Sequence, residues 1–236
     1  LNMPIHQADW AHELESAGTQ YVLNAISECE VKHLITKSTT MVYGAKPNMF
    51  IRHQENEELS PFHNQPFLRE KASAEKQIMV FSQSHPKICI TTLRFAGTLG
   101  PNLRTFWCSF WRQRYMPFII GRDPLMQFVH LDDAIQAIIL ALIRREQGIF
   151  NIAGSKISLY STLLKVANKI PVPMPSFLVE PIFTVSWMLQ VSRISPGLLN
   201  FFKYPCIADT QRAENILGFQ PKLSTVESLY NYLYSS

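Results

Sequence analysis

The sequence predicts an α/β fold in which a parallel sheet packs against helices. Short runs rich in β-branched and apolar residues alternate with longer segments whose apolar residues recur with helical spacing. Sequences of this kind form parallel strands, because each helix carries the chain back across the sheet. The chain has 236 residues, of which 47% are hydrophobic and 17% charged, which suffices for one large domain or two small ones.

The first half of the chain supplies two predicted helices and two predicted strands. Helical apolar spacing extends over residues 14–27 and again over residues 67–81. The runs KHLIT (32–36) and ICITTLRF (88–95) are short, apolar and β-branched, as buried strands are. Residues 44–66 are polar and interrupted by proline, which predicts a loop. The inward face predicted for the first helix consists of Leu14, Ala17, Tyr21, Val22, Ala25 and Ile26.

The second half continues this alternation. MQFVHL (126–131) and GIFNIAG (148–154) are predicted strands, and the apolar run AIQAIILALI (134–143) between them is a predicted helix. Its N-cap is assigned to Asp132 or Asp133, because a carboxylate can accept a hydrogen bond from a free backbone N–H group in the first turn.

Further helices are predicted towards the C-terminus. Ser158 is the predicted N-cap of a helix that ends near Ile170. Asp209 and Arg212 are predicted to cap and brace the start of a last helix. An aromatic cluster has helical spacing, which is typical of core packing. It consists of Phe106, Trp107, Phe110 and Trp111.

Composition and charge disfavour several classes of protein. The net charge of +4 is small and no block of like charge is present, so nucleic acid is not an expected partner. The four cysteines form no Cys-x-x-Cys pair, which predicts reduced thiols, no disulfide framework and no metal site. The first ten residues have neither the basic nor the apolar region of a signal peptide, so a cytoplasmic protein is expected.

One apolar stretch, residues 181–192, is the strongest membrane candidate in the sequence. It is interrupted by Gln190 and is too short for a membrane span, which needs roughly 20 residues. A weaker alternative is an interfacial helix within residues 177–202, where apolar residues are mixed with scattered polar ones. That segment has no basic face, so membrane association is not expected.

Lys71 lies on the predicted apolar stripe of the second helix, four residues after Phe67. A buried ammonium group without a partner is costly. Either the aliphatic stem packs while the amine reaches solvent, or the amine points into a cleft. The second alternative has support from residues 38–40, which carry hydroxyl groups and follow a predicted strand. Ligands of parallel α/β sheets bind at that edge.

Six segments occur in an order that resembles a known family. They are STTMVYG, FLREK, LRFAGTLGP, FVHLDDAIQAI, GIFNIAG and DTQRAENILGFQPK. Together they resemble the extended short-chain dehydrogenase/reductase family, the NAD-dependent epimerase/dehydratases, over nearly the whole chain. The resemblance implies a Rossmann-like parallel sheet formed by residues 1–101 and 126–153. It also implies a small C-terminal substrate-binding part formed by residues 102–125 and 154–236.

The resemblance implies roles for several residues around Lys71. In this family a hydroxyl residue before the VYG turn binds the reacting oxygen, which implies that role for Thr39. A tyrosine one helical turn before a lysine exchanges the substrate proton, and the lysine lowers the pKa of that tyrosine and holds the nicotinamide ribose. Lys71 matches the lysine, but Phe67 occupies the tyrosine position and has no ionisable proton. Phe95 is a further implied cofactor contact, beside Thr39 and Lys71.

A second position also departs from the family pattern. The family has an asparagine three residues before a Gly-Thr pair, and the matching residue here is Glu15, ahead of Gly18 and Thr19. Tyr43 belongs to the VYG turn, where the family uses the tyrosine structurally. Two of the four catalytic positions therefore differ from the pattern.

Three residues are candidate substrate contacts. Arg94 and Arg122 could bind the phosphates of a substrate, although surface or loop-bracing roles explain them equally well. His130 lies in the family's helix-start motif, where a structural role is the alternative. The resemblance implies a nucleotide sugar or a related secondary alcohol as the substrate, and the aromatic cluster leaves a lipid-like or aromatic substrate open.

One part of the family pattern is missing from the sequence. None of the nine glycines forms the Gly-x-x-Gly-x-x-Gly turn that cradles the cofactor pyrophosphate at a helix N-terminus. The register of the matching segments predicts that the N-terminal strands of the family sheet are absent and that the chain starts after the fourth strand. KHLIT is then expected at an uncovered edge of the sheet.

Two functions remain as alternatives. The first is an epimerase/dehydratase-like oxidoreductase that uses NAD or NADP and is impaired because Phe67 cannot exchange a proton. The second is a catalytically inactive family member that serves as a binding or scaffold protein. A homodimer is compatible with either.

Overall fold

The structure is a computed structural model and describes residues 11–47, 52–61, 65–189 and 196–234. Its strands are β1 (His33–Thr39), β2 (Arg52–His53), β3 (Cys89–Phe95), β4 (Gly97–Leu99), β5 (Tyr115–Ile119), β6 (Leu125–Met126), β7 (Phe128–His130), β8 (Gly148–Ile152), β9 (Ser158–Leu159), β10 (Ile170–Met174) and β11 (Ile207–Ala208). Its α-helices are α1 (Gly18–Ser27), α2 (Pro66–Ser84), α3 (Phe106–Trp111), α4 (Leu131–Arg144), α5 (Tyr160–Val166), α6 (Ser176–Met188) and α7 (Thr225–Tyr234).

A three-stranded parallel sheet in the order β1-β3-β8 forms the centre of the fold. Its register pairs Thr39 with Phe95 and Phe95 with Ile152, so the carboxyl ends of the three strands lie side by side. The predicted α/β class with parallel strands is therefore confirmed. Among the described residues, β1 pairs only with β3, which leaves its other side as the edge of the sheet.

Helices cover both faces of this sheet, because the side chains of β3 alternate between the two faces. Ile90 packs on one face with Leu23 of α1 and Ile78 of α2. Leu93 and Phe95 point to the opposite face and pack with alanines of α4. The arrangement places the start of α2 and the end of β1 at the same edge of the sheet.

The aromatic residues of α3 lie in a third cluster of buried residues, as predicted. Thr105 caps this short helix by accepting a hydrogen bond from the backbone N–H of Cys108 at 3.1 Å. Trp111 is fully buried, and its ring centroid lies 6.0 Å from that of Tyr160 in α5. Tyr160 in turn contacts Phe202 at 5.6 Å. These contacts join α3 to the C-terminal part of the chain.

The strand predicted over residues 126–131 is interrupted at Gln127. The side-chain amide of Gln127 forms two hydrogen bonds with the backbone of Ala208: Oε1 accepts from the N–H group at 3.0 Å, and Nε2 donates to the carbonyl at 3.3 Å. β6 pairs antiparallel with β9 before this point, whereas β7 pairs parallel with β4 after it.

The predicted N-cap of α4 is wrong. His130 is the N-cap, and its Nδ1 accepts a hydrogen bond from the backbone N–H of Asp132 at 3.3 Å. Asp133 is buried and accepts hydrogen bonds from the backbone N–H groups of Lys222 and Leu223, at 3.0 and 3.1 Å. Its carboxylate therefore fixes the segment before α7 instead of capping α4.

The predicted helix from Ser158 is also shorter and differently capped. Ser158 lies in β9, and the N-cap position of α5 is Leu159, which forms no side-chain capping bond. The carboxylate of Asp123 instead accepts from the backbone N–H and the hydroxyl of Ser161 in the first turn, at 2.8 and 2.6 Å. The helix ends at Val166, and Ile170 begins β10, which pairs with β5. The acceptor for the first turn thus comes from a residue distant in sequence, which local patterns do not reveal.

The predicted inward face of the first helix is only partly correct. The helical segment begins with π-helical turns over His12–Ala17 and continues as α1. Leu23 and Ile26 are buried, but Tyr21 is 72% and Val22 is 52% exposed. The π-helical turns hold more residues per turn than the spacing assumed for an α-helix, so the inward face rotates.

The helix start predicted at Asp209 and Arg212 is confirmed, but the helix that follows is not the last one in the chain. Asp209 accepts a hydrogen bond from the backbone N–H of Gln211 at 2.9 Å, and the Arg212 guanidinium lies 5.2 Å from the ring centroid of Phe150. The segment that follows is π-helical over Ala213–Leu217. The helix α7 has no counterpart among the sequence predictions.

Some predictions fall partly outside the described residues. Residues 48–51 and 62–64 of the predicted loop, residues 190–192 of the apolar stretch and the first ten residues belong to this group. The described part of the loop contains β2, which pairs with β11. Within the described ranges, no helix is long and apolar enough to cross a membrane.

Candidate active site

Thr39 is the last residue of β1 and stands at the carboxyl edge of the sheet. Its hydroxyl accepts a hydrogen bond from the backbone N–H of Met41 at 3.3 Å, which starts the 3₁₀ turn Thr40–Tyr43. A hydroxyl that accepts in this way can still donate its own proton to a ligand. The end of the strand therefore presents a hydrogen-bond donor at the edge where ligands of parallel sheets bind.

Phe67 and Lys71 lie in the first two turns of α2, on the face that looks towards Thr39. Pro66 occupies the first position of this helix, where its missing N–H group costs nothing. Phe67 is buried, and the ammonium of Lys71 lies 5.1 Å from the centroid of its ring. The two side chains thus form a cation–π pair one helical turn apart.

These side chains meet at a cavity of about 350 Å³. It brings together four residues that the sequence predicts for the site, and their catalytic roles remain predictions. The lining consists of Leu14, Glu15, Lys37, Ser38, Thr39, Met41, Phe67, Lys71, Phe95, Ala96, Gly97, Thr98, Thr105, Phe106 and Trp107. A second cavity of about 410 Å³ lies against β1, α1 and α2 and shares several of these residues. The shared residues are Leu14, Glu15, Lys37, Ser38 and Lys71.

The ammonium of Lys71 is held by a carboxylate. Its Nζ donates to Oε2 of Glu15 at 2.7 Å, and both side chains are mostly buried, with 18% and 13% of their surface exposed. The lysine on the apolar stripe therefore points into the cleft and has a partner there. Glu15 is the residue that departs from the family's asparagine, so the substitution places a negative charge directly on the lysine.

Lys37 is a cavity residue that the sequence predictions missed. It lines both cavities. The pKa of Lys37 is lowered, mainly because its ammonium loses part of its hydration and also because the positive charge of Lys71 is near, while Glu15 acts in the opposite direction. The alternation of β1 places its side chain in register with Thr39, two residues later, and this spacing was the available signal.

Arg94 lies in a buried ionic network next to the cavity. Its Nη2 and Nε donate to Oε2 of Glu75 at 2.6 and 2.9 Å, and its Nη1 donates to the hydroxyl of Tyr43 at 2.7 Å. Burial opposes the charge of Arg94, but the hydrogen bonds and charge of Glu75 outweigh it and raise the pKa of the guanidinium. The second oxygen of Glu75 accepts from Ser38 of β1. These contacts favour the bracing alternative for Arg94, and its role in substrate binding stays a prediction.

Tyr43 joins this network to the third strand. Its hydroxyl donates to Oδ1 of Asn151 in β8 at 2.9 Å, and its ring stacks on His53 with centroids 4.8 Å apart. Burial raises the pKa of Tyr43 to about 12, although Arg94 and Asn151 act in the opposite direction. The phenol therefore stays protonated at neutral pH and holds β1, β3 and β8 together, which matches the structural role implied for the VYG turn.

Arg122 and His130 lie apart from this cavity. Arg122 lines a different cavity, of about 630 Å³, beside α6, and its guanidinium lies 5.2 Å from the ring centroid of Tyr204. The His130 ring caps α4. The structure therefore does not bring the three predicted substrate contacts together with Thr39. Within the described chain, no group of three or more histidine, cysteine or acidic residues is placed to hold a metal ion.

Comparison with known proteins assigns the family. The NAD dependent epimerase/dehydratase family matches residues 6–153, which is more than half of the chain. The chain belongs to this family. The matched range contains both the cavity and the network around Arg94.

Individual proteins resemble the chain in sequence or in fold. The uncharacterized protein Rv0501 of Mycobacterium tuberculosis is 28% identical over 221 residues, which cover 93% of this chain and 59% of that protein. The UDP-glucose 4-epimerase of Thermotoga maritima, solved with UDP-glucose, has a TM-score of 0.72 and 21% identity over 97% of this chain and 71% of that chain. The UDP-glucose 4-epimerase of Thermus thermophilus, solved with NAD, has a TM-score of 0.72 and 18% identity over the same shares. The chain thus spans about 59% of the length of the curated relative.

Proposed function

We propose that the cavity beside Thr39 is the nicotinamide end of an NAD-type cofactor site and that it also receives the hydroxyl carbon of a secondary alcohol. The observation that carries this proposal is the meeting of Thr39, Phe67, Lys71 and Phe95 around one cavity at the carboxyl edge of the sheet. Structures of similar fold were solved with NAD and with UDP-glucose, which supports a nucleotide sugar or a related alcohol as the substrate.

The residues present suit this end of the cofactor. Apolar walls formed by Phe67, Phe95 and Trp107 would exclude water from a flat ring. Lys71 supplies a donor and Glu15 an acceptor for the hydroxyls of a ribose. When bound, the cofactor would supply the hydride acceptor. Whether NAD or NADP is used depends on the adenosine end, for which the sequence offers no glycine-rich turn.

In this proposal, residues of the chain bind the substrate oxygen. The Thr39 hydroxyl can donate to that oxygen and fix its position. Removal of the alcohol proton requires a group that can accept it, and the phenyl ring of Phe67 cannot. We therefore propose an oxidoreductase of impaired activity, with the cavity able to bind and orient a substrate but slow to exchange its proton.

The second candidate, an inactive binding or scaffold protein, has a specific observation in its favour. The Lys71 ammonium, which the family uses towards tyrosine and ribose, is bonded to Glu15 at 2.7 Å. Both departures from the family pattern thus act on the same lysine. In either case we propose residues 102–125 and 154–236 as the substrate-binding part and residues 1–101 and 126–153 as the cofactor-binding part.

Phe67→Tyr tests the proposal. The substitution adds one hydroxyl to a ring that already lines the cavity, next to the ammonium of Lys71. At one NAD concentration, the same for every variant, and with a panel of nucleotide sugars, single-turnover formation of NADH should rise by about 10²-fold or more. Phe67→Leu is the matched control and should leave the rate unchanged, and Lys71→Ala should remove the gain.

The outcomes separate the two candidates. Robust turnover by the natural chain would show that another group exchanges the proton. Phe67→Tyr without any NADH formation, although NAD and a nucleotide sugar bind by equilibrium dialysis, would favour the inactive binding protein.

A further inference from the structure

The helix α6 exposes an apolar surface that the rest of the described chain does not cover. Of its thirteen residues, Val179 alone is buried, whereas Phe177 is 74% and Met188 is 76% exposed. Leu178, Ile182 and Val185 are exposed as well. A helix that is apolar all round normally lies in a core or in a lipid environment, because water does not favour such a surface.

The strands beside α6 extend this surface. β10 leads directly into α6 and pairs in parallel with β5, so that Ile170 lies next to Tyr115. The exposed residues of this strand pair include Tyr115, Ile120, Ile170 and Val172. We call the surface formed by β5, β10 and α6 the α6 face.

The segments of the chain that contain the α6 face carry an excess of basic residues. Residues 102–125 and 154–204 contain nine lysines and arginines but two acidic residues, Asp123 and Glu180, whereas the rest of the chain contains thirteen basic and sixteen acidic residues. Of the nine, Arg193 lies outside the described residues. The positive net charge of the protein therefore comes from this part of the chain.

Three of these cations are placed at the α6 face itself. The carbonyl of Arg114 accepts a hydrogen bond from the first residue of β10, and its guanidinium lies 5.8 Å from the ring centroid of Tyr115. Arg122 and Lys203 line the cavity of about 630 Å³ beside Phe177, together with the hydroxyls of Ser176 and Thr184. Glu180 lines the same cavity and accepts a hydrogen bond from the ammonium of Lys203 at 2.5 Å. Arg122 and the two hydroxyls therefore supply the donors that a lipid headgroup phosphate requires.

We infer that the α6 face docks on an anionic lipid surface. Projecting apolar side chains surrounded by cations match a bilayer interface, where the apolar groups enter the acyl region and the cations meet anionic headgroups. The expectation from the sequence was the opposite, because residues 177–202 have no basic face of their own. The fold supplies that face from β5 and the segments that flank it.

Vesicle flotation with the 236-residue chain tests this inference. Vesicles of phosphatidylcholine with phosphatidylglycerol should carry the chain upward, and vesicles of phosphatidylcholine alone should carry at least about fivefold less, the effect of a single basic residue near an anionic membrane. Raising the salt concentration should weaken the binding, because the headgroup charges are screened.

Two variants and one control make the test specific. Phe177→Ser removes an apolar anchor, and Arg114→Glu reverses a charge at the rim, so each should lower the bound fraction by about fivefold or more. Leu142→Ser is the matched control, because Leu142 is a 58% exposed leucine on α4, away from the α6 face. It should bind vesicles like the natural chain. Circular dichroism of each variant verifies that the fold is kept.

Two results would overturn the inference. The first is equal flotation of the natural chain, Phe177→Ser and Arg114→Glu. The second is retention on an immobilised acidic polypeptide that phosphatidylglycerol vesicles do not displace, which would assign the α6 face to an acidic protein partner instead.

Discussion

The charged side chains of the cavity leave it with one net positive charge. Lys71 and Glu15 neutralise each other at 2.7 Å, and Lys37 adds a second ammonium whose pKa is lowered. A ligand that brings a negative or electron-rich group to Lys37 would relieve the repulsion between the two lysines. The net charge of these residues therefore favours ligands that carry a negative or electron-rich group.

The pair Arg94–Glu75 is a buried ion pair next to the cavity. Its nitrogen and oxygen atoms are 2.6 Å apart, and 3% and 6% of the two side chains are exposed. Arg94→Met should lower the free energy of unfolding by about 3–5 kcal/mol, because Glu75 would be left as a buried charge without a countercharge. Urea unfolding followed by circular dichroism measures this change.

The matched control for Arg94→Met is Arg69→Met. Arg69 lies 3.4 Å from Glu70, but half of its side chain is exposed. An exposed ion pair contributes about 0–1 kcal/mol, so Arg69→Met should change the urea midpoint little. Equal losses for the two variants would mean that the buried pair has no special role.

At the scale of helices and strands, local signals predicted the central sheet well. β1, β3 and β8 lie where apolar β-branched runs occur, and this pattern is strongest in the central strand β3, which is buried over residues 90–95. The errors arose at the ends of elements. Gln127 bonds to Ala208, and Asp133 bonds to Lys222, so these caps and breaks depend on partners about 80 to 90 residues away. Such partners leave no periodic pattern in the sequence.

The close packing of the backbone at Gly154, just after β8, can be tested by a substitution. A Cβ atom on Gly154 would lie 2.6 Å from the carbonyl oxygen of Phe128 and 2.9 Å from that of Leu223, and backbone atoms cannot move aside as a side chain would. Gly154→Ala should therefore separate β8 from β7 and from the segment before α7, with a loss of stability of about 1–3 kcal/mol. Thermal unfolding should show it as a lower midpoint.

Gly121→Ala is the comparison variant for Gly154→Ala. Gly121 has a φ of +78° but has no atom within 4 Å of a built Cβ. Its substitution carries only the cost of a left-handed backbone, about 1–2 kcal/mol, without a steric clash. If Gly154→Ala were no more harmful than Gly121→Ala, the close packing at the junction would not limit stability.

At the scale of the whole molecule, the order of the six segments predicted which residues come together, and their roles remain predictions. It assigned Thr39, Lys71 and Phe95, and the structure places all three around one cavity. It could not show that Arg122 faces α6 and a different cavity, because that position depends on how the C-terminal part packs. It also could not show that Arg114, Arg122 and Lys203 lie at the α6 face. Long-range packing, which has no local signature, decides both.

The affinity of the chain for NAD is also a property of the whole molecule. In the site that we propose, the cavity contacts the nicotinamide and its ribose, but none of the nine glycines forms the turn whose N–H groups bind the pyrophosphate. Each hydrogen bond to a charged group contributes about 1.5–3 kcal/mol, so the missing pyrophosphate contacts together outweigh what the cavity supplies. Isothermal titration of the 236-residue chain should give a dissociation constant for NAD in the millimolar range or weaker. Nicotinamide riboside, which lacks the pyrophosphate, should bind about as well as NAD. Micromolar affinity for NAD together with much weaker binding of the riboside would show that other residues hold the pyrophosphate.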